Sequence, residues 1–281
     1  MNVIVTRFAP SPTGLLHLGH AHSALFAEQE AKGGRFIVRI EDIDRARCRP
    51  AFEAAIAEDL AWLGLRWETP ARRQSEHMDD YARALDTLNV AGLLYPCFCT
   101  RRDIAAEIAA AGVAPHPDPA GSDGPPYPGT CRTLAETERA AKVAQGIPFA
   151  LRLDVAAALR RTGPLAGTDR ATGEQNARPG VFGDVVLARK DVPASYHLAV
   201  TVDDALQGVT LVTRGEDLFA ATHVHRLLQA LLDLPTPLYH HHRLLTDAMG
   251  RRFAKRDKSL TLRALREAGK TPEEVRAMAG F

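Results

Sequence analysis

Arg7-Phe8-Ala9-Pro10-Ser11-Pro12-Thr13-Gly14, followed after two leucines by His17-Leu18-Gly19-His20, is the stretch on which the fold turns. The apolar run Val3-Ile4-Val5 precedes it, and residues 21–31 after it read as a helix. The order is strand, tight Pro/Gly loop and helix start, with two imidazoles where the helix begins. A helix start presents N–H groups without intrahelical partners and the positive end of the macrodipole. It is a natural place to hold a phosphate. The histidines add donors that can follow negative charge as it builds on a phosphoryl group.

Working outward, residues 1–95 alternate short apolar strands with amphipathic helices. Phe36-Ile37-Val38-Arg39-Ile40 reads as a strand between Gly33-Gly34 and the acidic Glu41-Asp42-Ile43-Asp44. Helices are predicted over 50–63, with Pro50 in the first turn, and over 76–94. Strands alternating with helices predict an α/β fold with a parallel sheet. Such a sheet binds ligands at the carboxyl ends of its strands. Neither Gly-x-Gly-x-x-Gly nor a Walker loop is present, which disfavours dinucleotide and P-loop chemistry.

The pattern breaks between about 96 and 130, where prolines and glycines leave little room for regular structure and mark an insertion. Strands are predicted again at 149–153, 185–189, 196–200 and 209–213, then a helix over 218–232. The expected division is 1–95 and 191–247 as two halves of one catalytic domain. An inserted subdomain takes 96–190, and a signature loop with a short helical segment takes 248–281.

Hydrophobic residues at 46%, charged residues at 25% and a net charge of +1 are ordinary globular values. Any nucleic-acid surface must therefore come from local clustering. With no leader and no bilayer-length apolar run, a cytoplasmic protein without a membrane partner is expected. Cys97, Cys99 and Cys131 fall in one 35-residue window. A disulfide framework is not expected without a secretion signal, which leaves metal binding or free buried thiols. Cys48 lies apart. Adjacent His240-His241-His242 point to alternate faces of a strand, and His223 and His225 sit two apart on a helix, so neither set converges on one ion. Seven basic residues between Arg251 and Arg266 suit either a solvated face or a phosphate-facing loop.

Several of these segments, in order, resemble the class I aminoacyl-tRNA synthetases of the glutamyl group, and the resemblance covers most of the chain. Arg7 to Gly14 with His17 to His20 resembles the first signature. Arg39-Ile40-Glu41-Asp42-Ile43-Asp44 resembles the amino-acid-binding strand, and the segments from Tyr196 to Asp204 and Arg214-Gly215-Glu216-Asp217 resemble later active-site segments. The second signature is degenerate. Its lysine near the ATP phosphates is Lys255 in the preferred register, with Arg252 in the first lysine position and Ala254 replacing the serine; Lys258 is the other option.

The resemblance implies a Rossmann-type catalytic domain with an inserted zinc-binding connective subdomain and a short C-terminal helical segment. It implies an enzyme that joins L-glutamate to ATP with Mg²⁺. His17, His20 and Lys255 would be catalytic, and His17, Gly19, His20 and Lys255 would hold ATP. Arg7, Ala9, Ser11, Glu41, Tyr196 and Arg214 would line the glutamate pocket. Cys97, Cys99, Tyr127 and Cys131 resemble the ligands of the group's structural Zn²⁺. The chain stops about two dozen residues after Lys255, short of anticodon-reading domains. The expectation is therefore a truncated paralogue, acting as a monomer, that passes glutamate to the queuosine base of tRNA(Asp). A truncated synthetase charging a tRNA 3′ end and an inactive binding module are the alternatives.

Overall fold

A computed structural model describes residues 3–110, 127–245 and 261–281. Strand β1 (Val5–Phe8) runs through Arg7 itself and is buried throughout. Helix α1 (Leu18–Ala31) then starts earlier than its apolar pattern suggests, because the two histidines build its first turn. The His17 ring accepts from the Gly19 amide at 3.1 Å, and the His20 ring accepts from the His17 amide at 3.2 Å. This reciprocal arrangement caps the helix start. Strand β2 (Arg35–Ile40) follows a turn that only glycine fits: a Cβ on Gly34 would sit 2.2 Å from the Ile4 carbonyl. Helix α2 (Pro50–Trp62) returns the chain to β3 (Arg72–Arg73), and α3 (Met78–Val90) leads into β4 (Leu94–Cys97).

Helices α4 (Arg101–Ala110) and α5 (Glu136–Ala144) precede β5 (Ala150–Leu153), α6 (Val155–Thr162), and the hairpin of β6 (Ala166–Asp169) and β7 (Gly173–Asn176). Strand β8 (Val186–Ala188), α7 (Tyr196–Leu206), β9 (Leu211–Gly215), α8 (Ala221–Leu231), β10 (Leu238–His242), α9 (Leu262–Glu267) and α10 (Pro272–Met278) complete the order.

The central layer is parallel where it matters. β1, β2 and β3 pair in that order, with α1 and α2 as crossovers, and β10 pairs in parallel with both β9 and β6. The Thr210 amide donates to the Val5 carbonyl at 3.0 Å, and the Val5 amide donates to Thr210 Oγ1 at 2.9 Å. These bonds set the start of β1 against the strand that becomes β9. Strands β4, β5 and β8 form a separate antiparallel sheet. One apolar core lies among α1, β2, α2, α9 and α10, and another among α3, α6, α7 and α8.

Three readings need correction. Residues 196–200, expected as a strand, are the first turns of α7. Ser195 caps that helix by accepting from the Leu198 amide, and every residue from His197 to Asp204 is buried. A helix buried all round loses the 3.6-residue periodicity that would reveal it. The 96–130 window contains more regular structure than its composition suggests, since α4 lies inside it. The β6–β7 hairpin was not anticipated: its polar Gly-Glu-Gln-Asn strand lies at the sheet edge, where no apolar alternation is required.

Candidate active site

A cavity of about 430 Å³ opens where β1 and β9 end, and the first turn of α1 forms one side of it. Arg7, Ala9, Ser11, His17, Gly19, His20, Glu41, Tyr196 and Arg214 all line this space. Residues predicted from five separate segments are thus brought together. Lys255, with Arg252, Ala254 and Lys258, lies outside the described residues. Asp217 and His242 also face the cavity.

Beneath the floor lies a buried ion network. Arg7 donates through Nε to Asp204 Oδ1 at 3.0 Å and through Nη1 to the Thr213 carbonyl at 2.9 Å. Arg39 is fully buried and donates to the same Asp204 oxygen at 2.8 Å. It also faces Glu41 at 3.5 Å and Asp203 at 3.7 Å. Asp203 in turn accepts from Arg72 Nε, Gln74 Nε2 and the Tyr81 hydroxyl, each at 2.8 Å. Burial would raise the Asp204 carboxyl, but Arg7 and Arg39 outweigh it and hold the group below the usual carboxylate range. Glu41 goes the other way: burial lifts its pKa despite Arg39 and Arg7, so a cation arriving beside it would be welcome.

Arg214 is built differently. It is 5% exposed, and its partners are neutral. Nε donates to His241 Nε2 at 3.2 Å, and Nη2 donates to Thr222 Oγ1 at 2.6 Å. Nη1 meets His225 Nδ1 at 3.2 Å and the Tyr196 hydroxyl at 3.4 Å. Among the described residues, no carboxylate comes within 4.0 Å of this guanidinium. A buried cation so placed lacks compensation that only an anion can supply.

Away from the cavity, the sulfur atoms of Cys97, Cys99 and Cys131 lie within 4.8 Å of one another. The Tyr127 hydroxyl is 3.4 Å from Cys99 Sγ and accepts from the Cys131 amide at 2.8 Å. Burial pushes the Cys99 thiol up to about 12. Burial acts the same way on Cys131, but hydrogen bonds from Tyr127 and the Phe98 amide overcome it and lower that thiol. Converging sulfurs with amide support form a donor set that can hold a metal ion. Cys48 lies outside the cluster. Neither histidine run forms a metal group among the described residues. His241 and His225 instead contact Arg214, a role the sequence did not reveal. The alternation along 240–242 was legible, but not which face met the cavity.

The parallel sheet, the histidine-capped helix and the charged cavity define a synthetase catalytic domain. Residues 3–279 match the family of class I tRNA synthetases (E and Q), catalytic domain, and the chain belongs to that family. More particularly, it is 47% identical over 290 residues to the glutamyl-Q tRNA(Asp) synthetase of Rhodobacter capsulatus, covering 99% of this chain and 100% of the relative. The enzyme of that name from Symbiobacterium thermophilum is 45% identical over 279 residues, 96% of this chain and 83% of the relative. The crystal structure of glutamate-tRNA synthetase from Elizabethkingia anophelis aligns with a TM-score of 0.76 at 29% identity. That alignment covers 92% of this chain and 54% of the other. No helix among the described residues is long and apolar enough to cross a membrane.

Proposed function

We propose that this chain activates L-glutamate with ATP in the absence of tRNA and transfers it to the queuosine base in the anticodon loop of tRNA(Asp). The observation that carries the first half is Arg214: a buried guanidinium with neutral partners, in one cavity with the Glu41 carboxylate. That charge pattern is complementary to an amino acid with an ammonium group and a second carboxylate. The names of the relatives support the acceptor.

In this reading Arg7, Ala9, Ser11, Glu41, Tyr196 and Arg214 hold glutamate, while His17, Gly19, His20 and Lys255 hold ATP with its Mg²⁺. A carboxylate oxygen of glutamate attacks the α-phosphorus, the bond to the pyrophosphate oxygen breaks, and glutamyl-adenylate remains. The protein contributes alignment and positive charge rather than a nucleophile. Cys97, Cys99, Tyr127 and Cys131 would hold a Zn²⁺ ion, which would tie the end of β4 to the short turn that carries Cys131.

Glutamate-dependent pyrophosphate exchange without tRNA tests activation, and it should collapse in His20→Ala and Lys255→Ala. Its absence from the wild type would leave only a binding module. The acceptor is read from labelled glutamate: periodate-resistant label on queuosine-containing tRNA(Asp) is expected. Label on the terminal ribose of tRNA(Glu) would instead assign a truncated tRNA-charging synthetase. Metal analysis of wild type and Cys99→Ser decides the zinc assignment, and a metal-free wild type refutes it.

A further inference from the structure

The acceptors around Arg214 are organised from behind by a second set of residues. Asp169, at the end of β6, accepts from His241 Nδ1 at 2.7 Å and from the His241 amide at 3.1 Å. Its other oxygen accepts from the Ala171 and Thr172 amides at 2.9 and 3.1 Å. With the proton of His241 fixed on Nδ1, Nε2 is left as an acceptor. It then takes the Arg214 Nε–H, and Thr222 Oγ1 lies 3.3 Å away. On the other side, Arg214 can only donate, so His225 Nδ1 at 3.2 Å accepts from it; the His225 proton then sits on Nε2, where His197 Nδ1 receives it at 3.1 Å. Each imidazole is thereby locked in the tautomer that can receive an arginine proton.

Resting on the glutamate reading above, we propose that Asp169–His241 and His197–His225 are positioning pairs. They fix the Arg214 fork with neutral acceptors so that its charge is reserved for the substrate carboxylate. A carboxylate in direct contact would orient the fork equally well but would neutralise it. Here Asp169, the acid behind His241, is kept an imidazole away from the cation. The arrangement also gives the β6–β7 hairpin a part in the site, because Asp169 reaches Arg214 through His241 on β10.

The test exploits that distinction between neutral and charged acceptors. His241→Gln keeps a neutral acceptor facing Arg214, whereas His241→Glu supplies a competing carboxylate. Kinetics are read as KM for glutamate, KM for ATP and kcat in pyrophosphate exchange, with glutamate binding checked by calorimetry. His241→Glu should raise the glutamate KM by about 30-fold or more, with the ATP KM unmoved. His241→Gln should recover most of that loss. Thr222→Asp against Thr222→Asn repeats the comparison at a half-buried position in the first turn of α8, where an acid suits the helix start. This second pair covers the case in which His241→Glu does not fold. Equal damage from the neutral and charged members of both pairs would overturn the proposal, as would losses confined to kcat or to the ATP KM. Wild type that neither binds nor activates glutamate would overturn the functional reading itself. Active wild type with unsplit pairs would overturn only the cradle.

Discussion

Two buried arginines, one on β2 and one on β9, are treated in opposite ways. Arg39 on β2 is surrounded by Asp204 at 2.8 Å, Glu41 at 3.5 Å and Asp203 at 3.7 Å. Arg214 on β9 meets two imidazoles and two hydroxyls. An arginine cannot shed its proton, so its charge must be answered by something. Arg39 is answered within the fold, where it ties β2 to α7. Arg214 has no carboxylate within 4.0 Å among the described residues, and it is the one that lines the cavity. Between these two residues, compensation in the folded state separates the arginine that holds the protein together from the one kept for a ligand.

The comparison breaks most directly at Arg39. Arg39→Met strands Asp203 and Asp204 partly uncompensated, and removing one partner of a buried ionic network costs about 3–5 kcal/mol. Urea denaturation should show that loss. A variant as stable as wild type would mean that Arg7 and Arg72 carry the network without it. Arg214→Met is the counterpart. Stability should stay near the wild-type value or rise, because a buried cation with neutral partners is being removed. Glutamate kcat/KM should fall by an amount equivalent to about 2–5 kcal/mol, the cost of truncating one partner of a desolvated charge pair. If Arg214→Met instead unfolds the protein with little effect on residual glutamate kinetics, the two arginines do not differ in kind.

Legibility in the sequence followed the same division. Arg7, Ser11, His17, His20, Glu41 and Arg214 sit in short local motifs at strand ends, and the parallel sheet delivers strand ends to one place. Those motifs, in order, carried the family resemblance, and the resemblance implied their roles. The cradle was invisible because Asp169, His197, His225 and His241 come from four separate elements and meet only through tertiary packing. Asp204 was quoted as part of a motif, but its pairing with Arg7 and Arg39 depends on α7 being a helix. The run 196–200 reads as a strand in the sequence because it is short and largely apolar. The cysteines stood out as a set because they share one 35-residue window, and their reading as ligands came with the resemblance; in the fold Cys97 ends β4 and Cys131 lies in the short turn after Gly129.

A buried acid sharpens the comparison from the other sign. Asp59 on α2 is fully buried, and neither carboxyl oxygen has a hydrogen-bond partner among the described residues. Among the described residues its nearest cation is Arg266, at 3.7 Å on α9. Unlike arginine, a carboxyl can neutralise itself, and burial pushes Asp59 up to about 6 against the opposing pull of Arg266 and Arg263. The folded pKa lies above the value of about 3.9 in an unfolded chain, so between the two the folded state keeps a proton that the unfolded chain releases. The stabilising contribution is thus complete below pH 4, is lost as pH rises through about 6, and is flat above that. Asp59→Asn fixes the neutral form. It should stabilise the packing of α2 against α9 by roughly 2–3 kcal/mol at pH 8 and by only about 1 kcal/mol at pH 4.5. Denaturation midpoints at the two pH values measure the difference. A constant offset between the proteins would show that Asp59 stays ionised in the fold, and the distinction between an acid that can discharge and an arginine that cannot would lose its support.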